Sequence, residues 1–241
     1  MNRQITLDRL HELKLTGMER VYRSMAGIQP ADEPSLDELM ARLAEAEYLE
    51  RTQKRMQQLM RQSKLRYDAT LEHVYCSRER NFTREQQLAL ADCSFILRAE
   101  NILVAGATGT GKSWLTCAIG RQACNLGYKT IYLPMNRFLE KLALARMQGT
   151  FIKLLDQLQK MQLIIFDDFG LQPMNDDAKL ALLQILEDRY GQKATIVASQ
   201  LPVDKWHTYI NQPTMADAIC DRLAAKAIRI DLKGESLRRK E

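Results

Sequence analysis

Apolar residues in the first part of the chain recur at the spacing of a helix. Between residues 5 and 25 they follow one another mostly every three or four positions, as on a helix with one buried face. A second pattern begins at Ser35 and Glu38, which match a capping box, and neither Gly nor Pro interrupts it until past Lys64. The sequence therefore predicts a long helix of about 30 residues, about 45 Å long at about 1.5 Å per residue.

From residue 101 the pattern changes to short, nearly continuous apolar runs separated by helical segments. Such runs are typical of strands that are buried on both faces of a parallel sheet, and their alternation with helices predicts a doubly wound α/β layer. Gly127 is expected just past the end of the helix that follows the first strand. The five expected strands cover residues 101–105, 129–133, 162–166, 193–198 and 227–232.

Residues 66–100 lie between these two regions and are expected to connect them. Within this connector, Thr83 and Gln86 match a helix cap, which predicts a short helix that ends near Asp92. We therefore expect three parts, a helical N-terminal domain at residues 1–65, the connector at 66–100 and an α/β domain at 101–241.

The composition is that of a globular protein. Of the 241 residues, 46% are hydrophobic and 27% are charged. No apolar run approaches the length of a membrane span, and the first residues lack the apolar segment of a secretory signal. The five cysteines have no C-x-x-C spacing, so neither a disulfide framework nor a zinc site is expected. A cytoplasmic protein without a membrane association is the resulting expectation.

Positive charge is concentrated in one region. The net charge is +5, but residues 31–50 hold seven acids and one Arg, whereas residues 51–84 hold nine bases and three acids. Such a cluster suits electrostatic binding to the phosphate backbone of DNA; the alternative is a solvated helix face whose cations are favoured near the C-terminal end. The candidate DNA-binding residues are Arg51, Lys54, Arg55, Arg61 and Lys64.

One segment matches G-x-x-x-x-G-K-[ST] in full, between an apolar strand and a helical pattern. Glycines let the backbone fold around an anion, and successive N–H groups and the helix N-terminus then point at the phosphates. In such a loop the lysine neutralises phosphate oxygens and the serine hydroxyl binds Mg²⁺. The predicted nucleotide-binding residues are Gly106, Ala107, Thr108, Gly109, Thr110, Gly111, Lys112 and Ser113, with the adjoining Trp114, for which packing is the alternative role.

Two carboxylates, Asp167 and Asp168, end the third apolar strand. A parallel strand delivers its carboxyl end to the ligand crevice. We therefore expect Asp167 to be a partner of Mg²⁺ and Asp168 to polarise the water that attacks the terminal phosphate. The alternative is that the pair caps a helix beyond the strand.

Three further polar residues have roles that the residues alone leave open. Gln200 follows the fourth strand and either lies between the water and the γ-phosphate or belongs to a turn. Arg222, on an expected helix, either forms a surface ion pair with Asp221 or Asp217 or reaches the γ-phosphate of a second subunit. Arg238 on its own is part of a basic tail. The three histidines are scattered along the chain and indicate neither a triad nor a metal site.

Together these residues resemble the IstB-like ATP-binding proteins of insertion sequences and, more distantly, the DnaC and DnaI helicase loaders, all of the AAA+ type. The resemblance implies a P-loop AAA+ ATPase domain with a five-stranded parallel sheet, preceded by a small all-helical domain that joins in binding double-stranded DNA. It also implies that ATP with Mg²⁺ bridges a homo-oligomer, that Arg222 acts in trans and that Arg238 is a second sensor. The strand of Ser199 would lie between the P-loop strand and the Asp167 strand. The matching segments are residues 66–72, 106–113, 167–170, 189–190, 198–202, 206, 221–223 and 233–236.

The chain departs from this family at two positions. The family usually has Asp-Glu where this chain has Asp167-Asp168, and Ser-Asn where it has Ser199-Gln200. Because Asp168 is shorter by one methylene, slow hydrolysis is expected.

Four functions are compatible with an ATP-binding site of this kind. The leading interpretation is an ATP-dependent DNA-binding factor that assembles on DNA and assists a transposase. The alternative is a replicative helicase loader whose long helix docks a helicase. A small-molecule kinase would need an acceptor pocket and a lid, which the sequence does not indicate, and an inert nucleotide-binding scaffold is the fourth interpretation.

Overall fold

The computed structural model describes residues 2–25 and 34–237. The chain divides into two compact units, Met1–Gln58 and Leu59–Glu241. The helices of the described residues are α1 (Arg3–Glu12), α2 (Thr16–Ser24), α3 (Leu36–Ser63), α4 (Arg84–Ala91), α5 (Ser94–Leu97), α6 (Lys112–Asn125), α7 (Met135–Met147), α8 (Phe151–Gln159), α9 (Asp176–Arg189), α10 (Trp206–Ile210) and α11 (Pro213–Ala224). The strands are β1 (Ile102–Gly106), β2 (Thr130–Pro134), β3 (Leu163–Phe169), β4 (Ala194–Ser199) and β5 (Ile228–Leu232).

The helical region at residues 5–25 consists of two helices. The chain turns between α1 and α2, where Lys14 has a φ of +57° and the N–H of Leu15 donates to the carbonyl of Leu10 (2.9 Å). Apolar spacing continues through this turn, so the pattern does not reveal it. In α2, Gly17 is required by close packing, because a Cβ there would lie 2.3 Å from the carbonyl oxygen of Ala46 in α3.

The long helix α3 is present as predicted. It has 28 residues, and its start carries the reciprocal bonds of a capping box. The N–H of Ser35 donates to Oε2 of Glu38 (2.9 Å), and the N–H of Glu38 donates to Oγ of Ser35 (3.3 Å). The same arrangement, formed by Thr83 and Gln86, begins α4. Both caps could be predicted because they depend on residues only three positions apart.

The sheet is parallel throughout, and its strand order is β2-β3-β4-β1-β5. The expectation that the Ser199 strand lies between the P-loop strand and the Asp167 strand is therefore confirmed. All five expected strands are present, and Gly127 follows α6 with a φ of +86°, as predicted. β3 extends to Phe169, so that Asp167 and Asp168 belong to the strand itself.

Both faces of the sheet are covered by helices. Alternate residues of β1 illustrate this, because Ile102 and Val104 pack with α6, α4 and α5, whereas Leu103 packs with α7 to α11. This double coverage explains why the strands read as nearly continuous apolar runs. Among the described helices, none combines the length and the apolar character that crossing a bilayer requires. All five cysteines are free.

Arg189 joins α9 to the loops beside β3 and β4. Its side chain is 2% exposed; Nε donates to Oγ1 of Thr195 (3.0 Å) and Nη1 to the carbonyl of Met161 (2.8 Å). Within the described part of the chain it forms no ion pair with a carboxylate. Burial lowers the pKa of Arg189 to about 9, so the guanidinium is still charged at neutral pH.

We expect Arg189→Lys to destabilise the protein by about 2–4 kcal/mol, because an ammonium cannot satisfy the buried acceptors that the planar guanidinium reaches. Urea unfolding of the variant and the wild type measures the difference. Arg229→Lys, on the exposed side of β5, is the matched control and should change stability by less than about 0.5 kcal/mol. An equally small effect of Arg189→Lys would contradict the assigned role.

Candidate nucleotide-binding site

The predicted P-loop forms the turn between β1 and α6, at the carboxyl end of the sheet. β1 ends at Gly106 and α6 begins at Lys112. The loop can therefore offer its N–H groups and the start of α6 to an anion, as the motif predicts. Lys112 is 7% exposed, and its Nζ donates to the carbonyls of Gly106 (2.8 Å) and Ala107 (2.9 Å). The ammonium thus lies within the loop.

The segment near the C-terminus packs on this loop. The N–H of Leu237 donates to the carbonyl of Gly109 (3.0 Å). Gly109 has a φ of +85°, and a Cβ there would lie 2.2 Å from Oγ of Ser236, so only glycine fits. Arg238, the expected second sensor, lies outside the described residues.

Asp167 is fully buried at the end of β3. Its Oδ1 accepts from the N–H of Asp168 (2.9 Å), and its Oδ2 accepts from the hydroxyl of Tyr132 in β2. Burial, reinforced by the charge of Asp167, raises the pKa of Tyr132, so the hydroxyl keeps its proton and remains a donor. A buried carboxylate needs such donors, because an unpaired charge in the interior is costly.

Asp168 departs from regular strand geometry. The pairing of β3 with β4 shifts between Phe166 and Phe169, and Asp168 has a φ of +58°. Aspartate is one of the few residues that tolerate this left-handed conformation. The carboxylate is partly exposed, and its Oδ2 lies 4.0 Å from Nη1 of Arg66.

The donor set fits Mg²⁺. Ser113, at the start of α6, offers a hydroxyl oxygen and Asp167 a carboxylate oxygen. Among residues 2–25 and 34–237, no group of three or more His, Cys, Asp or Glu side chains could hold a metal ion. Mg²⁺ usually takes one or two protein carboxylates and fills its remaining positions with phosphate and water oxygens, so a larger protein cluster is not required.

Gln200 reaches the P-loop directly. Oγ1 of Thr108 donates to Oε1 of Gln200 (2.8 Å). Ser199, by contrast, is buried and hydrogen-bonded to the backbone. Its Oγ donates to the carbonyl of Phe169 (2.6 Å) and accepts from the N–H of Leu201 (3.0 Å). Of the two polar residues at the end of β4, Gln200 is therefore the one placed beside the loop.

A cavity of about 400 Å³ lies beside the P-loop. The connector supplies one wall with aromatic side chains, among them Tyr67 and Tyr75, and Trp114 of α6 contributes another ring. The Trp114 ring is 38% exposed, and its centroid lies 5.8 Å from that of Tyr67. Apolar walls facing a polar, anion-binding loop match the needs of a nucleoside triphosphate.

Arg80 ties the connector to the P-loop. Its buried guanidinium donates to the carbonyl of Thr110 in the loop and to that of Tyr75 in the connector, and it lines the cavity. Burial lowers the pKa of Arg80. The connector is thus part of the nucleotide site.

Arg222 lies at the opposite edge of the sheet. Its carbonyl accepts from Nδ2 of Asn101 (2.9 Å), the residue before β1, whereas the P-loop follows β1. The strand has five residues, which separate the two points by about 17 Å at about 3.3 Å per residue. The guanidinium pairs with Glu187 of α9 and not with either of the aspartates expected from the sequence.

Comparisons with known proteins agree with this geometry. The profile of the IstB-like ATP binding protein family matches residues 8–241. The chain belongs to this family. An insertion sequence ATP-binding protein of Sinorhizobium fredii, y4pL, is 42% identical over 236 residues, which cover 98% of this chain and 96% of the relative.

Solved structures show the same fold. AMPPCP-bound DnaA from Aquifex aeolicus aligns with a TM-score of 0.60 at 21% identity, over 73% of this chain and 53% of that chain; this chain thus spans about half the length of that DnaA. The DnaC helicase loader aligns with a TM-score of 0.57 at 15% identity, over 69% and 98% of the respective chains. The predicted P-loop AAA+ fold is confirmed, and the IstB-like chain is an ATP-binding AAA+ protein, in agreement with the expected ATPase.

The five candidate DNA-binding residues fall into two groups in the IstB-like structure. Arg51 pairs with Glu47 (2.7 Å) and Lys54 with Glu50 (3.3 Å), both within α3. The other candidates are Arg55, Arg61 and Lys64, which are exposed and form no ion pair within the described ranges. DNA binding by all five residues stays a prediction.

Several side chains of the site were not predicted as site residues. Arg80 and Tyr67 lie in a connector without regular periodicity, and Tyr132 lies inside an apolar run. Only the position of Tyr132 near the carboxyl end of a buried strand could have indicated a polar role. The others depend on contacts with residues 30 or more positions away, which local patterns do not encode.

We expect Tyr132→Phe to lower the free energy of unfolding of the nucleotide-free protein by about 1.5–3 kcal/mol, because it removes a hydrogen bond to the buried Asp167 carboxylate. Urea unfolding measures the change. Tyr190→Phe, at an exposed tyrosine, is the matched control. Equal stabilities of the two variants would show that Asp167 does not depend on Tyr132.

Proposed function

We propose that this IstB-like chain is an ATP-dependent DNA-binding ATPase that assembles on double-stranded DNA and assists the transposase of an insertion sequence in the cytoplasm. The name of the Sinorhizobium fredii relative supports the insertion-sequence setting. The observation that carries assembly is the separation of Arg222 from the P-loop of its own chain. An arginine that cannot reach its own phosphates could serve those of a second copy, exchanging its pair with Glu187 for a phosphate.

The chemistry is hydrolysis of ATP by water. Asp168 accepts a proton from the water whose oxygen bonds to the γ-phosphorus, while the bond from that phosphorus to the bridging oxygen breaks and ADP leaves. Lys112 neutralises charge on the phosphate oxygens, and Gln200 orients the water. Ser113 and Asp167 would hold Mg²⁺, which when bound neutralises further phosphate charge. Arg222 of a neighbouring copy completes the site as charge develops in the transition state.

Assembly turns weak phosphate contacts into stable binding. Arg55, Arg61 and Lys64 are exposed on and just after α3 and would contact the DNA backbone. Each contact contributes little alone, but several copies joined by ATP act together by avidity. Hydrolysis then dissolves the assembly. In this proposal the helical N-terminal domain at residues 1–65 joins the ATPase domain in holding the duplex.

Lys112→Ala should remove the ATP dependence of DNA binding, because triphosphate binding in the loop is lost. Fluorescence anisotropy of a labelled duplex with ATP, ADP or no nucleotide measures the ATP dependence of DNA binding. Lys160→Ala, at an exposed lysine after α8, controls for the loss of one positive charge and should keep the ATP dependence. A Lys112→Ala variant that still binds DNA more tightly with ATP than with ADP would overturn the proposal.

Arg222→Ala should lower the rate of hydrolysis by at least about a thousandfold, as expected for an arginine finger. A mixture with Asp168→Ala tests whether it acts in trans. Each variant alone should be inactive, whereas an equal mixture should regain about a quarter of the wild-type rate, since random pairing at a head-to-tail interface joins the two intact halves in that share of sites. A mixture as inactive as its components would exclude action in trans.

A further inference from the structure

A second cavity shares Asp168 with the P-loop cavity. Its volume is about 640 Å³, and its wall includes Asp168, Tyr132 and Arg66. Asp168 also lines the cavity beside the P-loop. The carboxylate expected to act on water is therefore in contact with two spaces, of which only one belongs to the nucleotide.

The second cavity has a large excess of positive charge. Its lining contains four cationic side chains, those of Lys64, Arg66, Arg137 and Lys141, and one acidic side chain, that of Asp168. Burial and, next, the charge of Lys64 lower the pKa of Lys141. Cations that face one another across a cavity repel, and a bound anion would relieve that repulsion.

Arg66 joins this cavity to the catalytic carboxylates. Its Nη1 lies 4.0 Å from Oδ2 of Asp168. The pKa of Arg66 is raised, most by Tyr67 and further by Tyr132 and Asp168, and the hydroxyl of Tyr132 in turn donates to Asp167. One guanidinium thus lies beside both the tyrosine that holds Asp167 and the carboxylate of Asp168.

We propose that the second cavity binds a phosphodiester group of nucleic acid, and that Arg66 is a positioning residue that restrains Asp168 until that phosphate draws the guanidinium away. The inference rests on the proposed function, for which it supplies the link between DNA binding and hydrolysis. While Arg66 pairs with Asp168, the carboxylate is held away from the water. A phosphate that pairs with Arg66 releases the Asp168 carboxylate.

A repeating polyanion fits the cavity better than an isolated anion. Positive charge continues from Lys64 to the exposed Arg61, three residues earlier in the last turn of α3. Guanidinium groups bind phosphate oxygens bidentately, whereas ammonium groups act as point charges, and the cavity offers two of each. An acidic protein segment is the competing ligand, which the experiment distinguishes.

The decisive variant is Arg66→Gln. Its rate of ATP hydrolysis without DNA should rise about two- to fivefold, the factor that a partly exposed ion pair provides, and the stimulation by a short synthetic DNA duplex should fall by at least the same factor. Arg66→Lys should give intermediate values. Damage to the fold would lower the rate both with and without DNA, so opposite changes in the two quantities identify a restraint.

Two further variants test the cavity itself. Lys141→Gln should raise the DNA concentration that gives half-maximal stimulation, because it removes one cation from the wall. Arg78→Gln, an exposed arginine of the same connector that does not line the cavity, should match the wild type with and without DNA.

The outcomes separate the inference from the proposed function. A wild type that neither binds DNA in an ATP-dependent way nor is stimulated by it would overturn both. A stimulated wild type whose Arg66→Gln variant behaves like Arg78→Gln would overturn only the inference. Stimulation by polyglutamate equal to that by DNA, and equally sensitive to Lys141→Gln, would overturn the assignment of the cavity to nucleic acid.

Discussion

The register of three parallel strands brings the site together. β4 lies between β1 and β3, and Ser199 pairs with Ala105 on one side and Phe169 on the other. The P-loop, the two aspartates and Gln200 therefore meet at one edge, although they are separated by as many as 94 positions in the chain. A slip of one residue in either pairing would turn these side chains to the opposite face. The buried apolar faces, which only helices on both sides can cover, fix that register.

The sequence predicted most of what depends on short-range patterns. The strands, the long helix, both capping boxes and the P-loop were read from residues a few positions apart. The turn between α1 and α2 was missed because apolar spacing continues across Lys14. The strand order entered only through the resemblance to a family, since apolar runs do not specify which strands are neighbours. The polar contacts of Arg66, Arg80 and Tyr132 join distant segments and leave no local trace.

The position of Arg222 separates it from the rest of the expected catalytic set of its own chain. Lys112 and Asp168 lie at the carboxyl edge of the sheet, and Arg222 lies beyond its amino edge, in an ion pair with Glu187. With Arg222 in the role that we propose, a lone protomer would offer the nucleotide an incomplete set of charges. In the assembly that we propose, hydrolysis would depend on how often two copies meet, and a DNA duplex that gathers copies would increase that frequency. Under that proposal, the fold itself would make the reaction responsive to assembly.

In the mechanism that we propose, the rate of hydrolysis would also depend on the surroundings of Asp168. The shift in β3 places it in a left-handed conformation, which a short carboxylate side chain tolerates better than most residues do. Aspartate in place of the family's usual glutamate also keeps the carboxylate close to the strand, where Arg66 and the second cavity are within reach. A longer side chain would extend further toward the water and depend less on its surroundings. The aspartate for which we expect slow hydrolysis is thus also the residue whose carboxylate lies beside the charge of Arg66.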